Sequence, residues 1–574
     1  MTTEFNDLIA SMGQASQQLT GPGAPWELEQ RQINGVDLRC YKKAPSTLRD
    51  AINRGREHGD KIAVAYEDER YSFDQFFEGA DRLAQHLLSK HGVKKGDRVA
   101  IAMRNYPEWM MSFVGILSIG AIVVPLNSWG RGEELSYAIS DSGANLVICD
   151  QERLDHLRDR LEGLNCKAIV VRSDDTEGEQ VEPWSLSQQQ SPCNYDDIDI
   201  SPGDLAIVMY TSGTTGKPKG AASTHFAVSQ ALYNMDYMAA MSAMCNMPTV
   251  EKMMGSGFEP CTLLAVPLFH VSGCYAVFLS NLIGGRKTAI MYKWNAEQAL
   301  EIIERERITI FTGVPTMNLA LLDSPKFDET DTSSLFSLGI GGTAGPPHLK
   351  DAIYSRLPHA YPGTGYGMTE TNAVGSSAQG AAYRLRSGSA GTISPIVDIK
   401  TVDENGQDLP RGSTGEIYVK SPTNVQQYWN LPEATAETFI DGWVATGDVG
   451  YVDEDNFLYV VDRIKDMVIR GGENVYPIEV EGILLSHPAV LEATVFGVPH
   501  ETLGEEVVAS VYLNDSNTTA EELRKFLSEH LAAFKVPAHI QISCDELPKN
   551  ATGKVLKKSV KEHYLENLDA TEQA

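Results

Sequence analysis

From Lys61 onward, short β-branched runs alternate with stretches whose apolar residues recur at helical spacing. KIAVAYEDERYSF reads as strand, FDQFFEGADRLAQHLLSKHG as an amphipathic helix closed by Gly92, and RVAIAMRN as strand again. The same alternation returns at ANLVICD, KAIVVRS, DLAIVMY, TLLAVPL, ITIFTGVP and FSLGIGG. Strand-then-helix order over such a length predicts parallel sheets covered by helices, an α/β class. After about residue 390 the pattern changes. GTISPIVDIKTVDENGQDLPRGSTGEIYVKS has short strands joined by Asn-Gly and Pro-Arg-Gly turns, which predicts a β-rich subdomain over about 385–462.

A short charged link, DRIKD, precedes a last segment with its own core pattern: LEATVFGVP and EEVVASVYL as strands, EELRKFLSEHLAAF and VLKKSVKEHYLEN as helices. This reads as a small α+β domain on a linker. The expected organisation is an arm with little periodicity over 1–45, a large domain over 46–462, a hinge over 463–466 and a mobile domain over 467–574. For 574 residues, about 150 per domain gives three or four lobes. Met235, Met238, Met241, Met244 and Met247 recur at every third position. They read either as a soft apolar edge buried in the core or as one wall of an apolar ligand tunnel.

Composition narrows the partners. Lys+Arg 48 against Asp+Glu 77 leaves a net charge of −29, whose field repels nucleic acid and anionic membrane surfaces. An acidic chain that binds an anion must concentrate its cations locally, so Lys217 with Lys219, and the run Lys549, Lys554, Lys557 and Lys558, carry weight. The last two read as a solvated helix face. Eight cysteines with no CxxC and no paired histidine spacing argue against a metal site or a disulfide framework, and suggest a reducing compartment. No secretory signal is visible, and the longest apolar run, Phe113 to Leu126, is short of a membrane span; a cytoplasmic location is expected.

Three glycine-rich stretches carry the chemistry. YTSGTTGKPKG (210–220) follows an apolar strand; glycines let main-chain amides converge on an oxyanion while hydroxyls and a lysine complete the shell. It is not a Walker A loop, because only two residues separate Gly213 from Gly216 and Pro218 follows Lys217. GIGGTAG (339–345) departs from the dinucleotide fingerprint by one position. GTGYGMTE (363–370) sets an aromatic among glycines and ends in a hydroxyl and a carboxylate, groups able to stack on a base and to hold a phosphate-bound magnesium. The first and third stretches together imply a nucleoside triphosphate.

With VPLFH (266–270), TGD (446–448), DRIKDMVIRGGENVYPIEVE (462–481) and PKNATGK (548–554), these motifs resemble, in order, those of the adenylate-forming superfamily, over about residues 50–565. That family includes acyl-coenzyme A synthetases, peptide-synthetase adenylation domains and beetle luciferases. The resemblance implies a large N-terminal domain of two parallel-type sheets flanked by helices, the β-rich subdomain, and a small mobile α+β C-terminal domain.

It also implies roles. Thr211, Ser212, Gly213, Thr214, Thr215, Gly216 and Lys217 would cradle the β,γ-phosphates. Thr369 and Glu370 would serve the α-phosphate, with Glu370 and Thr211 at Mg2+. Tyr366, between Gly365 and Gly367, would bracket adenine with Gly341, Gly342, Thr343 and Ala344. Asp448, helped by Arg463, would take the ribose hydroxyls through charge-assisted bonds. Lys554 would be the catalytic cation of adenylation. Lys465 would be the hinge, after whose rotation Gly471 and Gly472 line the coenzyme A channel. His270, Val271, Gly341 and Gly365 would border the acyl pocket, although a lone histidine at a strand end is more often structural. Two departures, Thr343-Ala344 where the family commonly has Ala-Pro and the unfamiliar stretch 233–261, bear on which acid fits.

The expected activity is an ATP-dependent carboxylic acid:coenzyme A ligase with ATP, Mg2+ and coenzyme A, acting on a medium- or long-chain fatty acid. Aryl or cinnamate-type acids are the alternative. A carrier-protein acceptor is disfavoured because the chain stops soon after the lysine loop with no carrier serine signature. Luciferin oxidation is left to a light assay, and a non-catalytic nucleotide sensor is disfavoured by the presence of Lys554 and Glu370. A homodimer stays open.

Overall fold

The computed structural model describes residues 2–173, 178–211, 217–342, 345–515, 517–551 and 553–572. Among them an eight-stranded sheet runs in the order Gln427–Tyr428, Lys219–Thr224, Leu205–Thr211, Ile122–Pro125, Arg98–Ala102, Leu146–Asp150, Lys167–Val171, Val181–Pro183. From Leu205–Thr211 outward its neighbours are parallel. These strands are apolar on both faces because helices cover both. The apolar run from Phe113 resolves into the end of the buried helix Pro107–Ser118, a turn at Gly120 (φ 73°), and the buried strand Ile122–Pro125. No helix among the described residues is long and apolar enough to cross a membrane. The helix expected to close at Gly92 ends earlier, at Ser89; a capping box between Ser72 and Gln75 starts it.

A second sheet of fourteen strands begins parallel, from Ile62–Tyr66 through Lys287–Ile290, Cys261–Leu264, Ile310–Gly313 and Ser337–Ile340 to Gly363–Tyr366. At Gly363–Tyr366 it changes hand. Its next partner, Ser376–Gln379, is antiparallel, and the ladder continues through the β-rich segment to Asp398–Val402. The β-rich part is therefore continuous with the parallel sheet. The final segment forms a five-stranded sheet around Val490–His500 and Gly504–Leu513, with helices Pro477–Leu484 and Ala520–Ser528 closing its own core.

The amino-terminal arm is more ordered than its polar composition suggests. Thr2–Thr20 is a helix, followed by a hairpin of Leu28–Ile33 and Val36–Tyr41. Leu8, Met12, Ala15 and Leu19 recur at helical spacing and pack inward; Ala15 and Leu19 meet Tyr237 and Met241 of the helix His225–Cys245. The periodicity is present in the sequence, diluted by glutamine, serine and asparagine between the apolar positions. The methionine series divides for a geometric reason: steps of three on a 3.6-residue helix drift around its surface. Met241 is core, whereas Met235 and Met238 line the large cavity described below.

Among the bonds that join the two sheets are those of a buried turn. Asn372 accepts from the Ser223 hydroxyl at 2.8 Å and donates to the Thr423 carbonyl at 2.7 Å, with φ 50° and no exposure. Asn372→Ala strands both partners and places alanine at a left-handed position, so we expect a loss of about 1–3 kcal/mol, read as a lower urea midpoint.

Candidate active site

A cavity of about 1810 Å³ lies where the second sheet changes hand, and its walls come from both sheets and from the C-terminal domain. The triphosphate-loop candidate joins Leu205–Thr211 to Lys219–Thr224, antiparallel neighbours with Thr211 opposite Lys219. A strand–loop–strand turn is not the strand-to-helix layout of a Walker loop. Thr211 and Lys219 line the cavity. Ser212, Gly213, Thr214, Thr215 and Gly216 lie outside the described residues, as do Thr343 and Ala344. Lys217 is exposed, with its ammonium 5.2 Å from the Tyr137 ring centroid, and does not line the cavity.

Gly341, Gly342, Gly365, Tyr366, Gly367 and Thr369 form one wall. Gly367 is required there: a Cβ would stand 2.4 Å from the Ala373 carbonyl carbon, because the chain after Glu370 folds back against the strand. Glu370 sits in the short turn Thr369–Thr371, 6 % exposed, and its Oε1 accepts from the Tyr428 hydroxyl at 2.7 Å. Burial raises its carboxyl above the usual range, while the Tyr428 hydroxyl, Arg463 and Lys219 oppose that rise. Tyr428 is a site residue that sequence reading missed. Its two-residue strand Gln427–Tyr428 pairs with Lys219–Thr224, a tertiary pairing with no local signature. Lys219, noted only as part of a cluster, stands 4.8 Å over the Tyr428 ring.

Asp448 is placed differently from its expected role. It is buried at 4 % exposure, behind the cavity wall, where Oδ2 accepts from the Tyr366 hydroxyl at 2.7 Å and Oδ1 from Arg463 Nε at 2.9 Å. Burial pushes the Tyr366 phenol well above its ordinary range, with the Asp448 charge adding to the effect. Thus Tyr366 lines the cavity with its hydroxyl turned to Asp448, and Arg463 covers the carboxylate from the other side. The strand register brings this about, since Asp448 pairs directly with Arg463.

Lys554 reaches the same place from the C-terminal domain. Its loop is a tight hairpin: Asn550 N donates to the Lys554 carbonyl at 2.8 Å, and Asn550 Oδ1 accepts from Lys554 N at 3.0 Å. Gly553 approaches the large domain so closely that a Cβ would lie 3.1 Å from Val314 Cγ2. Burial first and the Arg463 guanidinium second push the Lys554 ammonium down, with Asp466 and Asp448 opposing. Lys465 lines the cavity beside Asp466 and Met467. Asp462, in the strand Phe457–Arg463, accepts at 2.9 Å from the amide of Ile478 in the first turn of Pro477–Leu484, and so caps a helix of the C-terminal domain. Burial pushes its carboxyl up to about 6. Lys557, expected on a solvated face, instead pairs with Glu481 at 2.9 Å and lines the cavity; Lys558 is exposed as expected and also borders the cavity.

Gly471 and Gly472 stay away from the cavity. They are the central pair of the hairpin between Val468–Arg470 and Glu473–Val475, with φ of 60° and 87°. Two positive φ values in a two-residue turn are sufficient local reason for both glycines.

At the acid end, His270 and Val271 line the cavity just before an eight-residue π-helix, Ser272–Leu279. Burial pushes the His270 imidazole down to about 4, so it is neutral at physiological pH. Met235, Met238, Val250, Met253 and Ile283 line the same cavity, as do the charged Arg54, Asp236 and Arg286.

Residues 52–429 match the AMP-binding enzyme family model, and residues 479–554 match the AMP-binding enzyme C-terminal domain. The chain belongs to the AMP-binding enzyme family. It is an AMP-forming acid–thiol ligase of the adenylate-forming superfamily. Among its relatives, a feruloyl-CoA synthase of Amycolatopsis is 33 % identical, covering 89 % of this chain and 98 % of that one. The long-chain-fatty-acid–CoA ligase FadD13 of Mycobacterium tuberculosis is 31 % identical, covering 94 % and 98 %. The o-succinylbenzoate CoA synthetase of Bacillus subtilis, solved with its acyl-adenylate intermediate, superposes with a TM-score of 0.72 at 30 % identity, covering 89 % and 97 %.

Tyr428→Phe tests the Glu370 anchor in this AMP-binding enzyme. Losing the hydroxyl removes an interaction that lowers the carboxyl, so Glu370 titrates higher and the acid limb of the adenylation pH profile moves to higher pH, with kcat/KM for ATP falling about 10–100-fold. His270 contributes no step between pH 5 and 8, because its ring gains a proton only near pH 4; His270→Gln should leave the profile's shape unchanged.

Proposed function

We propose that this ligase activates a large apolar carboxylic acid, of medium- or long-chain fatty type, and passes it to the thiol of coenzyme A. The observation that carries the reading is the cavity itself, whose lining joins Thr211 and Glu370 with His270 and the methionines Met235, Met238 and Met253. Each methylene buried along that wall is worth about 0.8 kcal/mol, so kcat/KM should rise about fourfold per CH2 until the chain fills the space.

In the first half reaction a carboxylate oxygen attacks the α-phosphorus, forming the acyl–adenylate bond as pyrophosphate leaves. The 211–217 loop holds the β,γ-phosphates, Thr369 faces the α-phosphate, and Gly341 to Ala344 with Tyr366 flank adenine. Asp448 takes the ribose hydroxyls only if Arg463 or the Tyr366 hydroxyl yields part of its hold. Lys554 bridges the two anions that meet, its side chain placed at the cavity beside Arg463. Glu370 and Thr211 offer hard oxygen donors at the cavity, a set that fits a magnesium ion whose remaining ligands are phosphate oxygens and water. Such an ion, when bound, neutralises charge on the phosphates.

In the second half reaction the thiolate sulfur attacks the acyl carbonyl carbon, the thioester forms and AMP leaves. The hinge at Lys465 turns the small domain so that Lys554 withdraws and Gly471 and Gly472 approach the cavity. The present arrangement, with Lys554 inside and both glycines outside, supports assignment to the first step.

A second reading, an aryl or cinnamate-type acid, is favoured by polar groups in the cavity lining. Arg286 there donates to Asn281 Oδ1 and the Ser280 carbonyl, and its guanidinium can meet a ring hydroxyl or carboxyl. Pyrophosphate release across acetate to oleate, plus benzoate, coumarate and ferulate, separates the readings: the fatty-acid series should climb with length, and coumarate or ferulate surpassing it would transfer the assignment to aryl acids. Lys554→Ala should cut adenylation about 10²–10³-fold while largely sparing thioester formation from supplied acyl-adenylate. Equal loss in both steps would refute the rotation.

A further inference from the structure

Far from the ligase cavity, three side chains converge near the edge of the first sheet. His86 Nε2 and His91 Nε2 stand 2.6 and 2.7 Å from one oxygen, Oε1 of Glu182, and all three potential ligand atoms lie within 4.8 Å of one another. The side chains are 2 %, 7 % and 15 % exposed. None of the three lines the reaction cavity. We propose that His86, His91 and Glu182 form a binding site for a divalent transition cation of the zinc type, separate from the ligase chemistry.

The local fold makes the constellation. Five residues apart, two histidines on a continuous helix would point in different directions. Here the helix Phe73–Ser89 ends between them, and the chain turns toward Gly92 (φ 62°), which brings His91 back beside His86 with ring centroids 5.3 Å apart. Glu182 arrives from Val181–Pro183, a three-residue edge strand paired only to Lys167–Val171. Sequence spacing therefore gave no warning.

Chemistry selects the ligand. One carboxylate oxygen faces two imidazole nitrogens, at 2.6 and 2.7 Å, a mixed nitrogen and oxygen donor set. Without a cation, each ring donates its Nε2 proton to the same oxygen, and His86 Nδ1 is buried without a partner. A divalent cation replaces two protons with one centre bonded to both nitrogens and the carboxylate, the donor set of a three-ligand zinc site with water in the fourth position. Two imidazoles favour zinc, cobalt, nickel or copper over magnesium and calcium, which take oxygen ligands. Tetrahedral bonds of about 2.05 Å require ligand atoms about 3.3 Å apart, so the contacts must open by about 0.7 Å. His91, past the helix end, and Glu182, on the edge strand, are the two members placed to move. The cation would fasten the edge strand to the helix, and binding to the folded state alone raises stability by mass action.

The test uses the full chain, stripped by chelator and dialysed against micromolar Zn2+. We expect one zinc per chain above background by elemental analysis, a higher thermal midpoint with zinc than without, and visible d–d absorption of tetrahedral type when Co2+ is used as the probe. Either His91→Ala or Glu182→Gln should lose that equivalent and the midpoint rise, with ligase activity retained; two variants guard against one that fails to fold. Cys544→Ser, which removes the exposed thiol, should keep both. Wild type binding no more zinc than His91→Ala and Glu182→Gln, or an unchanged midpoint, would overturn the site and leave the trio a hydrogen-bonded clasp.

Discussion

The site depends on one buried clasp, the turn that carries Glu370 and Asn372 between the two sheets. Asn372 ties a strand of the first sheet to the loop after Gly415–Lys420, and Glu370 accepts from Tyr428 on a strand that joins the first sheet. A carboxylate and an amide with so little exposure are costly unless bonded, so these groups hold one arrangement of the sheets. Thr211 and Lys219 line the cavity from the first sheet, and Gly341, Gly365 and Tyr366 line it from the second. The clasp holds these two walls in one arrangement.

The second determinant is the register between Trp443–Val452 and Phe457–Arg463. Direct pairing places Arg463 against Asp448, and residues 464–466 lead on into the C-terminal segment. Asp462, one step earlier, caps the helix Pro477–Leu484 of that segment, a charge-assisted bond that ties it to the end of the second sheet.

A glycine-rich loop, a Thr-Glu pair and a lysine in a polar segment stand out by local composition, and of these Thr369, Glu370 and Lys554 line the same cavity. Sequence alone did not reveal Tyr428, which reaches Glu370 from 58 positions away by strand pairing, nor the covering of Asp448, which depends on register. The amino-terminal helix was legible in Leu8, Met12, Ala15 and Leu19 but masked by its polar face. For Gly471 and Gly472 the sequence suggested backbone exposed to a ligand, whereas the hairpin's left-handed φ values already require glycine. Local pattern thus identified donors better than it identified their partners, because partners come from tertiary pairing.

The net charge of −29 gives the cavity its electrostatic logic. A field of that sign opposes a polyphosphate, and the site answers by gathering Lys219, Arg463, Lys465 and Lys554 around one cavity. Two of these repel each other: Arg463 and burial both push the Lys554 ammonium down. Like charges gathered at one cavity favour an anion there, because its binding relieves their mutual repulsion.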